Sequence, residues 1–307
     1  MVLAGGVGAA RFLRGLQSCT DPEAVTVVVN TADDDEFYGL YVSPDIDTVI
    51  YTLAGLAPVR RGWGLAADTF HCLGALERFY GHAWFRLGDR DLATHIYRTE
   101  RLRQGASLTR VTAEIAHRFG IREQILPMTD QRVATFVRTR QHGWLPFQRY
   151  LIHHSPSADV QGIQLRGITK ANPTPQVQQA LTHATHVILP PSNPLVSLGP
   201  ILRLPGVRQC LRTKRSRVLA ISPLLGHTPV KGPLDRMLRG LGHEVSPYGV
   251  ARLYRDIASI FVLDRSDARY ADPIRELGMQ PVLADILITT PERAHALAEL
   301  SLELLGS

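Results

Sequence analysis

Cysteine is scarce in this chain. Cys19, Cys72 and Cys210 are its three thiols, and no two of them have the spacing of a zinc knuckle or a redox pair. Neither a disulfide framework nor a zinc site is indicated. Long apolar runs are missing too: none approaches the roughly 20 residues that span a bilayer. The chain opens on a short apolar strand and a glycine turn with no cationic leader, so a soluble cytoplasmic protein is expected. No polar low-complexity tract appears, which excludes a disordered chain. No Walker glycine–lysine loop and no Gly-x-Ser-x-Gly elbow is present. The adjacent His153 and His154, and the spaced His183 and His186, bring no further ligands and read as surface or packing residues.

What is present is enough for a full core. Of 307 residues, 45% are hydrophobic and 20% charged, which fits a single domain over residues 1–307. The formal net charge of +6 favours acidic partners. The basic residues are nevertheless scattered among acids, as in Gly88-Asp89-Arg90-Asp91, and the densest stretch, 208–217, reads as a solvated helix end. Neither a nucleic-acid face nor a membrane face is expected.

Strand, glycine turn, helix and strand follow one another at the start: residues 1–4, Gly5-Gly6-Val7-Gly8, residues 9–17 and residues 25–29. That order predicts a parallel sheet with a right-handed crossover. Further strands are predicted at 187–189, 218–221, 260–263 and 280–283. Helices are predicted at 177–184, 234–241, 250–256 and 291–305, the last with Thr290 as cap and Pro291 at its first position. Between about 85 and 165 the pattern changes. Residues 94–119 read as helical, while 133–139 and 144–153 read as alternating strands. The fold class is therefore α/β, a Rossmann-like parallel core with an inserted α+β subdomain at about 85–165.

Five loops carry chemistry. In Gly5-Gly6-Val7-Gly8-Ala9-Ala10-Arg11, glycines and a helix N-terminus suit a phosphate, or form a purely structural turn. Arg11 stands where a dinucleotide fingerprint has its third glycine, and Asn30 where it has a ribose-binding acid, so an NAD site is disfavoured. Thr31-Ala32-Asp33-Asp34-Asp35-Glu36 is an acid run at the sheet's carboxyl edge. Ser43-Pro44-Asp45-Ile46-Asp47-Thr48 follows. If extended, it points Asp45 and Asp47 the same way, and carboxylates from two such loops suit Mg2+; alternatively Ser43 or Asp45 caps a helix over 48–56. Arg86 and Arg90, around Gly88, could hold an anion or a polar ring edge, or be salt-bridged in a structural loop, and His95 reads as a structural or orienting residue rather than a catalytic base. Finally, Ser192 and Asn193 in a proline-rich loop, and Lys231 between a loop and a helix, are placed for phosphate oxygens.

Together these stretches resemble the 2-phospho-L-lactate transferases of coenzyme F-420 synthesis, including their phosphoenolpyruvyl-transferring relatives. The matching segments also include Leu87-Gly88-Asp89-Arg90-Asp91-Leu92-Ala93-Thr94-His95, Leu126-Pro127-Met128-Thr129-Asp130, Pro191-Ser192-Asn193-Pro194 and Val230-Lys231-Gly232-Pro233, and they span almost the whole chain in order. The resemblance implies a cytoplasmic homodimer that uses Mg2+. Its donor would be a three-carbon acid phosphate (2-phospholactate, phosphoenolpyruvate or 3-phosphoglycerate) activated by GDP, and its acceptor the deazaflavin Fo. The products would be F-420-0, or its dehydro form, and GMP. Asp45 and Asp47 would be catalytic, and Asp34, Asp45 and Asp47 would hold the metal. Asp47, Arg86 and Arg90 would meet Fo, while Gly6, Gly8, Ser192, Asn193 and Lys231 would cradle the nucleotide. Many relatives have glycine where this chain has Ala32 and Pro190, and Pro190 lacks a backbone donor. The alternative is a non-catalytic nucleotide-sugar sensor of related fold, against which the acid run and the Leu-Gly-Asp-Arg-Asp segment argue.

Overall fold

A computed structural model describes residues 1–155 and 157–306. Seven parallel strands form the centre: β1 Val2–Ala4, β2 Thr26–Val29, β3 Gln124–Pro127, β4 Val187–Leu189, β5 Val218–Ile221, β6 Ile260–Asp264 and β7 Gln280–Ala284. They lie in the order β7-β6-β5-β4-β1-β2-β3, with Val2 opposite both Val27 and Ile188. The strands are short aliphatic runs because both sheet faces are covered. Val2, Ala4, Val27 and Val29 enter one core layer with Phe12 and Leu13, whereas Leu3 and Val28 turn to the opposite layer with Leu189 and Phe261. This is the two-residue alternation of a strand. Burying side chains the size of Phe12 or Leu3, each 0% exposed, stabilises by about 1.5–3 kcal/mol apiece.

The strand order reverses direction at β1 and β4. Open α/β sheets bind ligands at such a switch, beyond the strands' carboxyl ends. The helix Gly6–Leu16 starts there and packs along the last helix, Pro291–Leu305. Contact is close because Gly15 has no side chain: a Cβ there would sit 2.1 Å from the Ala294 carbonyl oxygen. Thr290 caps the last helix, accepting from the Arg293 amide as the sequence predicts. The other predicted helices are present as Pro175–His183, Leu234–Gly240 and Pro247–Tyr254.

The span 85–165 divides into parts. Its helical stretch is two helices, Asp91–Arg103 and Leu108–Arg118, broken at Gly105. The strand β3 that follows belongs to the central sheet. A separate three-stranded antiparallel sheet then comprises Ala134–Thr139, Gly143–Pro146 and Val160–Arg166. The strand expected over 144–153 ends at Pro146, and the chain turns through Phe147–Arg149 into a π-helix, Tyr150–His154. Phe147 and Tyr150 bury themselves against Val137, Val160 and Met237. Their three-residue spacing puts both on one helical face, which an extended strand would separate. Among the described residues, no helix is long and apolar enough to cross a membrane.

Candidate active site

A cleft of about 510 Å³ opens at the switch point. The loops after β1, β2, β4 and β5 form its floor, and residues around Trp63, Trp84 and Phe85 and the 147–152 segment form its walls. Phe37 stacks on Phe85 at 3.6 Å and meets the Trp84 edge at 5.4 Å, which stiffens the aromatic wall.

Four buried carboxylates define the chemistry: Asp33, Asp34, Asp45 and Asp47. The segment with Asp45 and Asp47 is helical, Pro44–Leu53, not extended. Two residues along a helix are about 200° apart, so the two acids take different partners. Asp45 accepts from the Gly6 amide at 2.8 Å and from Asn30 Nδ2 at 2.9 Å. Neither Ser43 nor Asp45 caps the helix through its side chain; the Ser43 hydroxyl donates instead to Asp34 Oδ2 at 2.8 Å. Asp47 is gripped by both terminal nitrogens of the fully buried Arg98, with His95 Nδ1 at 3.7 Å. Behind them, His95 Nε2 lies 3.1 Å from Asp91, which accepts from the Tyr51 hydroxyl at 2.7 Å. His95 thus stands between two carboxylates, Asp47 and Asp91.

The nucleotide residues expected from the sequence meet at the cleft, but several use their polar atoms on one another. The Gly6 amide serves Asp45. Gly8 is required for loop packing: a Cβ would lie 2.1 Å from the Pro191 carbonyl oxygen. Ser192 Oγ donates to the Gly5 carbonyl at 2.9 Å, and Asn193 Oδ1 accepts from the amides of its own loop, Leu195 and Val196. Lys231 Nζ reaches the Arg61 carbonyl at 2.7 Å; burial and nearby Arg11 lower its pKa. Of the expected departures, the Ala32 amide donates to Asn30 Oδ1 at 3.0 Å, and the Pro190 carbonyl accepts from Ser192. Arg86 lines the cleft, its guanidinium 4.5 Å over the Phe70 ring. Arg90 does not line it and bonds the Ala66 carbonyl. Asp89 is a loop anchor, accepting from Thr69 and from the amides of His71 and Cys72.

Burial drives Asp45 up to about 6, against the two hydrogen bonds that favour its ionised form. Burial, with Asp45 alongside, pushes Asp33 well above the usual carboxylate range, and burial does the same to Asp34. Oδ1 of Asp33 and Oδ1 of Asp34 are buried without a hydrogen-bond partner. Unsatisfied carboxylate oxygens crowded in this way fit a hard divalent cation. No three acids, histidines or cysteines already converge as ligands among the described residues. Asp34, Asp45 and Asp47 therefore make no ready cage; the open oxygens belong to Asp33 and Asp34, and Arg98 occupies Asp47.

Asn30, Asp33 and Arg98 were not singled out from the sequence as site residues. Asp91, His95 and Arg98 stand at i, i+4 and i+7, one helical face, so a signal for Arg98 was there to find.

Residues 1–300 match the family described as 2-phospho-L-lactate transferase CofD. A protein named 2-phospho-L-lactate transferase from Methanosarcina mazei is 39% identical over 300 residues, covering 98% of each chain. One named phosphoenolpyruvate transferase from Streptomyces griseus is 38% identical, covering 99% of this chain and 97% of its own. A solved structure of a UPF0052 family member from Bacillus halodurans shares the fold, with a TM-score of 0.65 at 15% identity over 98% of this chain and 97% of that one.

Proposed function

The chain belongs to the 2-phospho-L-lactate transferase family, and we propose on that footing that it transfers a phosphorylated three-carbon acid from a GDP-activated donor to the deazaflavin Fo. The transfer forms one phosphodiester as one diphosphate breaks. The terminal ribityl oxygen of Fo attacks the phosphorus that bears the acid, and the bond from that phosphorus to the bridging oxygen breaks. GMP leaves with that oxygen, and the hydroxyl proton passes to a floor carboxylate and then to solvent.

The observation that carries this reading is the group of buried carboxylates at a cleft at the switch point, among them Asp33 with an unpartnered oxygen. Phosphoryl-type transfer is catalysed chiefly by positioning and charge neutralisation. Asp33 and Asp34, with their unpartnered oxygens, would hold Mg2+, which when bound supplies charge neutralisation at the diphosphate. Asp47, its orientation fixed by Arg98, and Arg86 would align the Fo hydroxyl and ring. The Trp84–Phe85 wall would take the planar ring face. Gly6, Gly8, Ser192 and Asn193 form the bed of the guanosine diphosphate, and Lys231 neutralises it from the rim.

Purified protein mixed with Fo, Mg2+ and each of the three GDP-activated acids tests this directly, by GMP release and product mass. GMP and a phosphodiester of Fo with one donor are expected. No turnover with any donor, and no binding of Fo, would sink the proposal.

A further inference from the structure

The helices His71–Tyr80 and Asp91–Arg103 both begin without a cap of their own. Phe70 and Arg90 stand at the cap positions, and neither side chain makes a capping bond. Each helix takes its cap from the loop that leads into the other. Asp68 lies before the first helix, yet it accepts from the Arg90 amide at 2.8 Å and the Asp91 amide at 3.1 Å. Asp89 lies before the second, yet it accepts from the His71 amide at 3.0 Å and the Cys72 amide at 2.9 Å. We propose that this exchange of caps is a clasp that sets the acceptor wall of the cleft, with Asp68 and Asp89 as positioning residues for Fo. The inference rests on the transferase reading above and adds to it what holds that wall in place.

Packing does little to fix the first helix. Leu73 is its one buried residue, while Phe79 and Tyr80 are 83% and 56% exposed. The free amides at a helix start need acceptors, and an aspartate there also meets the favourable end of the helix dipole. Two more bonds close the clasp. The Asp89 amide donates to the Thr69 carbonyl at 2.8 Å, and the Thr69 hydroxyl donates to Asp89 Oδ2. The loops meet closely because Gly88 has no side chain: a Cβ there would lie 2.1 Å from Asp68 Oδ2. The Thr69 hydroxyl, then the Cys72 and His71 amides, hold the Asp89 carboxyl below the usual carboxylate range, as its place between three donors requires.

The wall hangs between the two capped helix starts. Trp84, Phe85, Arg86 and Leu87 line the cleft, and all four lie in the segment that joins the helices. The Arg86 guanidinium rests 4.5 Å over the ring of Phe70, the residue between Asp68 and the amides that Asp89 holds. Phe37 braces Phe85 from the other side. Loss of either cap frees one end of this segment, and a misplacement of about 1 Å at a binding group can cost as much as 100-fold. Neither Asp68 nor Asp89 lines the cleft, so both act through the wall and not by touching a ligand. The nucleotide bed stands on other loops, after β1 and β4, so Fo and not GDP should feel the change.

The test compares Asp68→Ala, Asp89→Ala, Asp68→Asn and Asp89→Asn with the unaltered protein, using the donor that it accepts, Fo and Mg2+. Fo KM and kcat are measured, together with the GDP dissociation constant by calorimetry. Each alanine variant is expected to raise Fo KM by roughly tenfold, while GDP affinity stays within about twofold. Asparagine keeps one accepting oxygen and caps about as well as aspartate, so the asparagine variants should recover much of the loss. Thr69→Val removes one donor to Asp89 and leaves both carboxylates. It should raise Fo KM by a smaller factor, and it carries the test where an alanine variant does not fold. Fo KM unchanged in Asp68→Ala and Asp89→Ala, or in Thr69→Val where those do not fold, overturns the assignment. So does GDP affinity falling by the same factor as Fo affinity, because the fold would then be loosened as a whole. Asparagine no better than alanine overturns it too, since the cap would not be what matters. Absence of turnover by the unaltered protein overturns the transferase reading, and this one with it.

Discussion

Removing Arg98 tests the frame of the site most severely. Its side chain is 0% exposed and that of its partner Asp47 is 7% exposed. Breaking a buried ion pair from one side leaves a carboxylate without compensation, at a cost of about 3–5 kcal/mol. Arg98→Met keeps most of the stem volume, so little of that loss is cavity. The guanidinium's Nε has no partner, and its remaining contact is with His95 at 3.3 Å, so the loss is chiefly that of the Asp47 pair. Adding Asp47→Asn removes the stranded charge, and the double variant should recover to within about 1 kcal/mol of the parent, since buried pairs often break even against neutral replacements. Arg275→Ala is the control. It deletes a pair whose side chains are 63% and 86% exposed, where less than about 1 kcal/mol is expected. Urea unfolding followed by tryptophan fluorescence gives all four free energies, and an unchanged m-value keeps the comparison like for like. A single variant that loses under about 1 kcal/mol, or a double variant no better than the single, would refute the reasoning.

Gly8→Ala forces a methyl against the Pro191 carbonyl; overpacking of this sort costs about 1–3 kcal/mol, and a melting curve together with a GDP titration should show both stability and nucleotide binding reduced. Arg86→Ala should raise the Fo KM by roughly tenfold, whereas Arg90→Ala, outside the cleft lining, should leave it near the parent value in the same assay. Asp45, raised from 3.8 to about 6, contributes stability that is fully present below pH 3.8 and lost as pH rises through about 6. With cation chelated, stability should therefore decline across that window by roughly 3 kcal/mol, and Asp45→Asn should flatten the slope in melting curves taken from pH 4 to 8.

The sheet was legible because its signals are local. Apolar runs such as residues 25–29 bounded by Asn30, and the glycine turn before residues 9–17, need no knowledge of distant neighbours. Even so, the run 144–153 misled, because alternation in Trp144-Leu145 continues into residues whose true spacing, Phe147 to Tyr150, is helical. Asn30 was read only against a nucleotide fingerprint. Its actual work is to hold Asp45 and the Ala32 amide, a role that exists only once β1 and β2 are paired. The acid run told that carboxylates gather. One partner of Asp33 is Thr135, brought in by the inserted sheet from far along the chain. Asp45 and Asp47 belonged together in sequence, yet the helix turns them to different partners. A motif supplies the residues, and the backbone that carries it decides which way each one faces.

The charge distribution argues for the order of binding at the site. The chain is +6 overall, yet Asp33, Asp45 and Asp47 line the cleft, and of these Arg98 pairs with Asp47 alone. The cations near the nucleotide bed, Lys231, Arg61 and Arg11, stand toward the rim. They can draw a diphosphate in from solution, but the floor repels it. On the proposed reading, a divalent cation on Asp33 and Asp34 would reverse that field at the point of contact, so GDP affinity should rise with Mg2+ and fall on chelation. Coupling of one to three kcal/mol between two such ligands, about 5- to 150-fold in affinity, is the ordinary range. The cycle has a built-in check, since Mg2+ must bind more tightly in the presence of GDP by the same factor. Asp33→Asn should shrink that coupling, and Arg90→Ala should leave it unchanged. Calorimetric titrations of GDP with Mg2+ and with chelator, on the parent and both variants, read it directly. Equal GDP affinity under both conditions would mean that the carboxylates are neutralised by their own protons, and the metal would lose its place at the floor of this cleft.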